Sequence, residues 1–250
     1  MDRKNLANLK KYGLTLICLI ILLMTLCACS ANIKVSIGND AEDKEVILEN
    51  IKTDVQAENL KSIVIKSESS TVTLMSYDTD AIVLEMENMG DNYSYSDDDG
   101  VFSLELKSGE SKLVTTNLSA VTVKVPKDIS LDKITIEMGN GDIILSDVDA
   151  AKVSVKSGLG SFKNSGALSG EVNIELKNGS ADLLLCGSER DYKISADTNI
   201  GSVVVGNFHG QRKLAGEGRH TGAEYSSDAL MGNRINVHSG DGDVTVKFAG

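Results

Sequence analysis

The chain has 250 residues, 25 basic and 36 acidic, for a net charge of −11 with histidine neutral. That balance repels nucleic acid and anionic head groups, which excludes nucleic acid as a partner. The absence of Trp, with four Phe and one Pro, excludes an aromatic-rich core or a carbohydrate platform built on Trp.

Arg3, Lys4, Lys10 and Lys11 open the chain against the single acid Asp2, and an apolar run follows from Leu14 to Leu26. Thirteen residues are too few for bilayer hydrocarbon, which takes about 20 helical residues. A basic segment before a short apolar one predicts a signal peptide over residues 1–28, with an uncleaved membrane anchor as the alternative. Leu26-Cys27-Ala28-Cys29 resembles the bacterial lipobox: branched apolar at −3, small at −1, cysteine at +1. Cys27 at −2 departs mildly from that pattern, and it cannot be the acceptor itself because Leu26 would then fill the small position. The expectation is therefore a lipoprotein lipidated at Cys29, held to the membrane by its acyl chains at about 0.8 kcal/mol per buried methylene. Cleavage removes Cys18 and Cys27, so Cys186 is left without an intramolecular disulfide partner. It also removes four basic residues and one acid, which deepens the net charge to −14.

Residues 29–58 read as a tether, polar and acidic from Asn39 to Glu45, and residues 59–250 as a β-repeat domain. From Lys61 the alternation is clean: Ile63 and Ile65, Val72 and Leu74, Ile82 and Leu84. Period-2 runs bounded by Ser, Thr and Asp predict half-buried strands. The acidic stretch Ser94–Gly100 reads as a solvated hairpin tip. A calcium site is the minority reading, because Asp97, Asp98 and Asp99 cannot all point at one ion.

The second half repeats itself. Taking Ile134, Ile136, Met138, Gly139, Gly141 and Ile143 as template, equivalent residues recur at offsets of 19, 38, 60 and 101. They bring Gly160, Gly179, Gly201 and Gly242 onto Gly141. The final step of 41 is close to two periods, and Phe208–Met231 reads as a degenerate coil or a long loop. An apolar alternation, a glycine turn and a second alternation make one rung of about 20 residues in a β-solenoid, with rungs about 4.8 Å apart. The predicted class is all-β: a solenoid-like repeat preceded by short antiparallel strands, with a β-sandwich as alternative. The turn glycines are expected at positive φ, and Gly242 is expected in the terminal rung.

Val121-Thr-Val-Lys-Val-Pro126 with Ile129 and Leu131, the Ile134–Asp142 stretch, and the closing pattern Ile235–Val246 resemble a bacterial β-strand-repeat family, a domain of unknown function commonly labelled adhesin-like. The resemblance spans roughly residues 60–248. It implies an envelope-facing, solenoid-like β domain and supplies no catalytic residues.

A catalytic or metal site is not expected. His209, His220 and His238 lack metal-ligand spacing, and Cys186 after Leu183-Leu-Leu185 reads as a small strand-end residue. Abundant Ser comes without a G-x-S-x-G element. Gly139-Asn-Gly141-Asp142 and Ser239-Gly-Asp241-Gly-Asp243 read as turns, since a period near 20 is not that of nonapeptide calcium rolls. The functional expectation is a non-enzymatic, cofactor-free binding or adhesion module anchored outside the cytoplasm, with an unidentified envelope partner. A regulatory, stress-sensing envelope protein that contacts a membrane partner is the alternative. A carbohydrate-active enzyme would need carboxylates converging in one groove.

Overall fold

The computed structural model describes residues 31–35, 46–56, 59–89, 92–107, 119–127, 129–214, 221–227 and 232–250. The chain divides into two units, Met1–Ala31 and Asn32–Gly250, and apart from Ala31 the described residues belong to the second. Its strands are β1 Ala31–Val35, β2 Val46–Gln56, β3 Ser62–Ser69, β4 Thr71–Tyr77, β5 Ala81–Glu87, β6 Tyr93–Asp98, β7 Val101–Leu106, β8 Ala120–Pro126, β9 Leu131–Asn140 and β10 Ile143–Ser146. They continue with β11 Ala150–Leu159, β12 Phe162–Asn164, β13 Glu171–Asn178, β14 Ala181–Cys186, β15 Tyr192–Ile200, β16 Val203–Val205, β17 Phe208–His209, β18 Gln211–Leu214, β19 Thr221–Ser226, β20 Asn233–Asp241 and β21 Val244–Ala249.

Two open sheets face each other. Sheet A runs β1-β2-β5-β8-β4-β10-β12-β14-β21-β16-β17, and sheet B runs β18-β19-β15-β20-β13-β11-β9-β3-β7-β6. Seven strand pairs each give one strand to both sheets and stack in parallel as rungs. Their spatial order is β15–β16, β20–β21, β13–β14, β11–β12, β9–β10, β3–β4, β7–β8. The fold is the solenoid-like one, not the sandwich.

Alternation explains the layers. In sheet B, Ile63, Ile134, Val153, Val172, Ile235 and Ile194 are in register from rung to rung, as are Ile65, Ile136, Val155, Ile174, Val237 and Ala196. All of these residues are buried. Each fully buried Val or Ile contributes about 1.5–3 kcal/mol, so the ladders are the main source of cohesion. Phe102 and Phe162 are the largest wholly buried side chains.

Four sequence expectations need correction. Val46–Gln56, within the stretch read as tether, is β2 and pairs antiparallel with β5. The β3–β4 and β7–β8 segments are further rungs that the glycine template missed; at the β3–β4 corner Ser70 stands where the five template rungs have glycine. Antiparallel strands do not merely precede the stack. They flank both ends, β2, β5 and β6 at one and β17, β18 and β19 at the other. Finally, Gly242 is not terminal. The step of 41 is not two periods: its rung, β20–β21, lies between β13–β14 and β15–β16.

The corners show why glycine recurs. Gly160 has φ 128° and Gly242 has φ 152°, where an L side chain is strained. A Cβ on Gly160 would strike the carbonyl oxygen of Gly141 in the adjacent rung, and one on Gly242 would strike that of Gly179.

Candidate functional site in the outer face of sheet B

Strand alternation that buries the Ile/Val ladders turns the intervening residues outward, and parallel register lines them up along the stack. Three outward rows result. The first, from the β15 end, is Asp197, His238, Glu175, Lys156, Glu137, Lys66 and Glu105, each directly opposite the next. Lys156 lies 3.2 Å from Glu175 and Lys66 lies 3.9 Å from Glu137. His238 Nδ1 is 2.9 Å from Asp197 Oδ2. Opposite charges in directly opposed positions stabilise the sheet by about 0.2–1 kcal/mol per pair.

The second row is neutral and polar: Ser195, Asn236, Asn173, Ser154 and Thr135. The third is basic. Lys133 opposes Lys152, and Lys193 opposes Arg234. Glu171 is the acid of this row, opposite Lys152 and 3.4 Å from it. Among the described residues Lys133, Lys193 and Arg234 form no ion pair, and all three are exposed. Like charges directly opposed cost stability, so neither cationic pair stabilises the sheet.

An open groove of about 990 Å³ runs across these rungs. The charged row forms one bank, and Glu68, Lys177 and Asn199 stand on the other. A second cleft, about 520 Å³, lies at the β15 end and is lined by Ser195, Asp197, Phe208, His209, Glu224 and Tyr225. Asp197 and Glu224 are directly opposed there, so a carboxylate pair does share a cleft. Both are engaged: Asp197 with His238, Glu224 with a further partner.

The expected turn residues hold the corners together. Asp142 Oδ1 accepts from Ser161 N at 2.8 Å, across one rung. Asp243 Oδ1 accepts from Ser202 N and Oγ, both at 2.8 Å. These two hydrogen bonds hold the Asp243 carboxyl below its ordinary value of 3.8. Asp97 and Asp98 are exposed on the edge strand β6, and Asp99, with φ 50°, turns the chain into β7. Cys186 is exposed at the end of β14, its Sγ 3.6 Å from the Ala167 carbonyl. His209 lies in the second cleft and His238 in the charged row. Cys29 and His220 lie outside the described residues. No described helix is long and apolar enough to cross a membrane.

The basic row is what sequence reading missed. Its members immediately precede Ile134, Val153, Ile194 and Ile235, a column that the offsets of 19, 60 and 101 already align.

The family described as Toastrack DUF4097 matches residues 25–247. The chain belongs to that family. Two solved structures are similar to this Toastrack chain. One is a cell adhesion protein candidate from Clostridium sporogenes, 17% identical, with TM-score 0.57 over 81% of this chain and 99% of that one. The other is an adhesin candidate from Bacteroides fragilis, 15% identical, with TM-score 0.37 over 82% and 98%. The first supports the Toastrack fold here. No curated protein matches the chain.

Proposed function

We propose that this chain is a lipid-anchored, non-enzymatic binding module of the cell envelope, tethered through Cys29 and presenting the outer face of sheet B to its partner. The observation that carries the binding reading is the in-register outer face, in which seven rungs hold polar and charged side chains on a fixed spacing. Stacked repeats make such extended surfaces rigid without a large enclosed pocket. The adhesion-related name of the Clostridium sporogenes neighbour points the same way, and the lipobox-like Leu26–Cys29 supports the anchor.

The anchor is tested by growing cells with an alkyne fatty acid. Wild-type protein takes up the label and Cys29→Ala does not. Equal labelling of the variant contradicts the anchor. The opposed carboxylates Asp197 and Glu224 are the feature that favours a hydrolytic reading instead. Asp197 is already held by His238 and Glu224 has a partner of its own within the fold, which favours binding.

A further inference from the structure

We propose that the basic row on sheet B, formed by Lys133, Lys152, Arg234 and Lys193, docks a linear anionic polysaccharide laid along the stack axis. The proposal rests on the binding reading of this face and names the chemistry of its ligand.

Three observations carry it. First, the row opposes the charge of the molecule. In a chain of net charge −11, four cations against Glu171 are collected in one line, two pairs of them directly opposed. Only Lys152 has an acid partner within the row, Glu171; the like-charged pairs Lys133/Lys152 and Lys193/Arg234 cost stability, and an external anion would relieve them. Second, the line is straight and one residue wide. It spans four rung steps, about 19 Å at 4.8 Å per step, and so matches a chain carrying an anion every sugar or two. Third, the neighbouring row offers the hydroxyl and amide groups of Ser195, Asn236, Asn173 and Ser154 at the same spacing, suited to sugar hydroxyls.

Other polyanions fit less well. A plane of anionic lipid head groups would also meet Asp197, Glu175 and Glu137. Those residues stand four positions along the same strands, about 13 Å away, and Asp132 flanks the row at its end. A nucleic acid would find no Phe, Tyr or Trp side chain in the three rows on which to stack its bases.

The test measures binding of fluorescent dextran sulfate and of polygalacturonate by the full-length protein in detergent. Neutral dextran and phosphatidylglycerol vesicles are run beside them. The expected result is binding of both polyanions that weakens as salt rises, with neutral dextran unbound. Lys193→Ser/Arg234→Ser weakens binding about tenfold or more, while Lys163→Ser, an exposed cation on sheet A, changes it less than twofold. Lys133→Ser/Lys152→Ser serves as a second variant should the first lose its urea midpoint. Absence of polyanion binding, an equal effect of Lys163→Ser, or row-dependent binding to vesicles alone would each overturn the proposal. A photo-cross-linker at Ser154 on intact cells separates the two readings. Capture that is unchanged by the row substitutions overturns the polysaccharide and leaves the binding face standing, and no capture at all overturns both.

Discussion

At Gly160 and Gly242 a hydrogen in place of a side chain lets one rung approach the next. Both have positive φ and both would drive a Cβ into a neighbouring carbonyl. Because the Gly242 rung is interior, Gly160→Val and Gly242→Val are expected to lose similar stability, well beyond the roughly 1 kcal/mol of an ordinary glycine replacement. Gly201 belongs to the outermost rung, β15–β16, and Gly201→Val is expected to cost less because that corner can fray. Urea titration of the three variants checks the ranking, and a mild Gly242→Val would contradict the intercalated rung. These glycines were legible in the sequence, since each follows an apolar alternation at a matching offset. The Ser70 corner was not, because no glycine marks it.

Rung corners are where polar side chains link one element to the next. Asp243 ties the β20–β21 corner to Ser202 of β15–β16, and those two hydrogen bonds depress its carboxyl. A depressed acid contributes stability that is full above its unfolded value of 3.8 and fades as pH falls through the lower folded value. Asp243→Ala is therefore expected to be less stable than wild type at pH 7, with the gap closing only below about pH 3.8. Stability measured by urea titration at pH 7, 5 and 3 reads this directly, and a gap that is constant with pH would contradict it. The strands themselves were readable from period-2 alternation. The antiparallel strands β17, β18 and β19 were not, since Phe208–Met231 carries glycine and charge where a ladder would show Val or Ile.

The order of the rungs belongs to the whole molecule. Ile63 pairs with Ile134 and Val172 with Ile235, separations that no local spacing announces. Every rung offers nearly the same Val/Ile ladder, so the sequence defines rungs well and their neighbours poorly. The basic row was hidden for the same reason: its cations are far apart in the chain and mixed with acids such as Asp132 and Asp191. Register makes the order testable. Cys186 of β14 faces Ala249 of β21, within the span a disulfide bridges. Ala249→Cys is expected to form an intramolecular disulfide under mild oxidation, seen as a faster-migrating monomer on a non-reducing gel. A free Cys186 after oxidation would contradict the order.

The face that these rungs build is the centre of the functional account, and photo-cross-linking on intact cells tests it most directly. A diazirine residue is placed at Ser154, in the middle of the outer face of sheet B, or at Lys163 on the outer face of sheet A. The account predicts high-mass adducts from position 154 and few from 163. Adducts from 163 alone, or in equal yield from both positions, would contradict it.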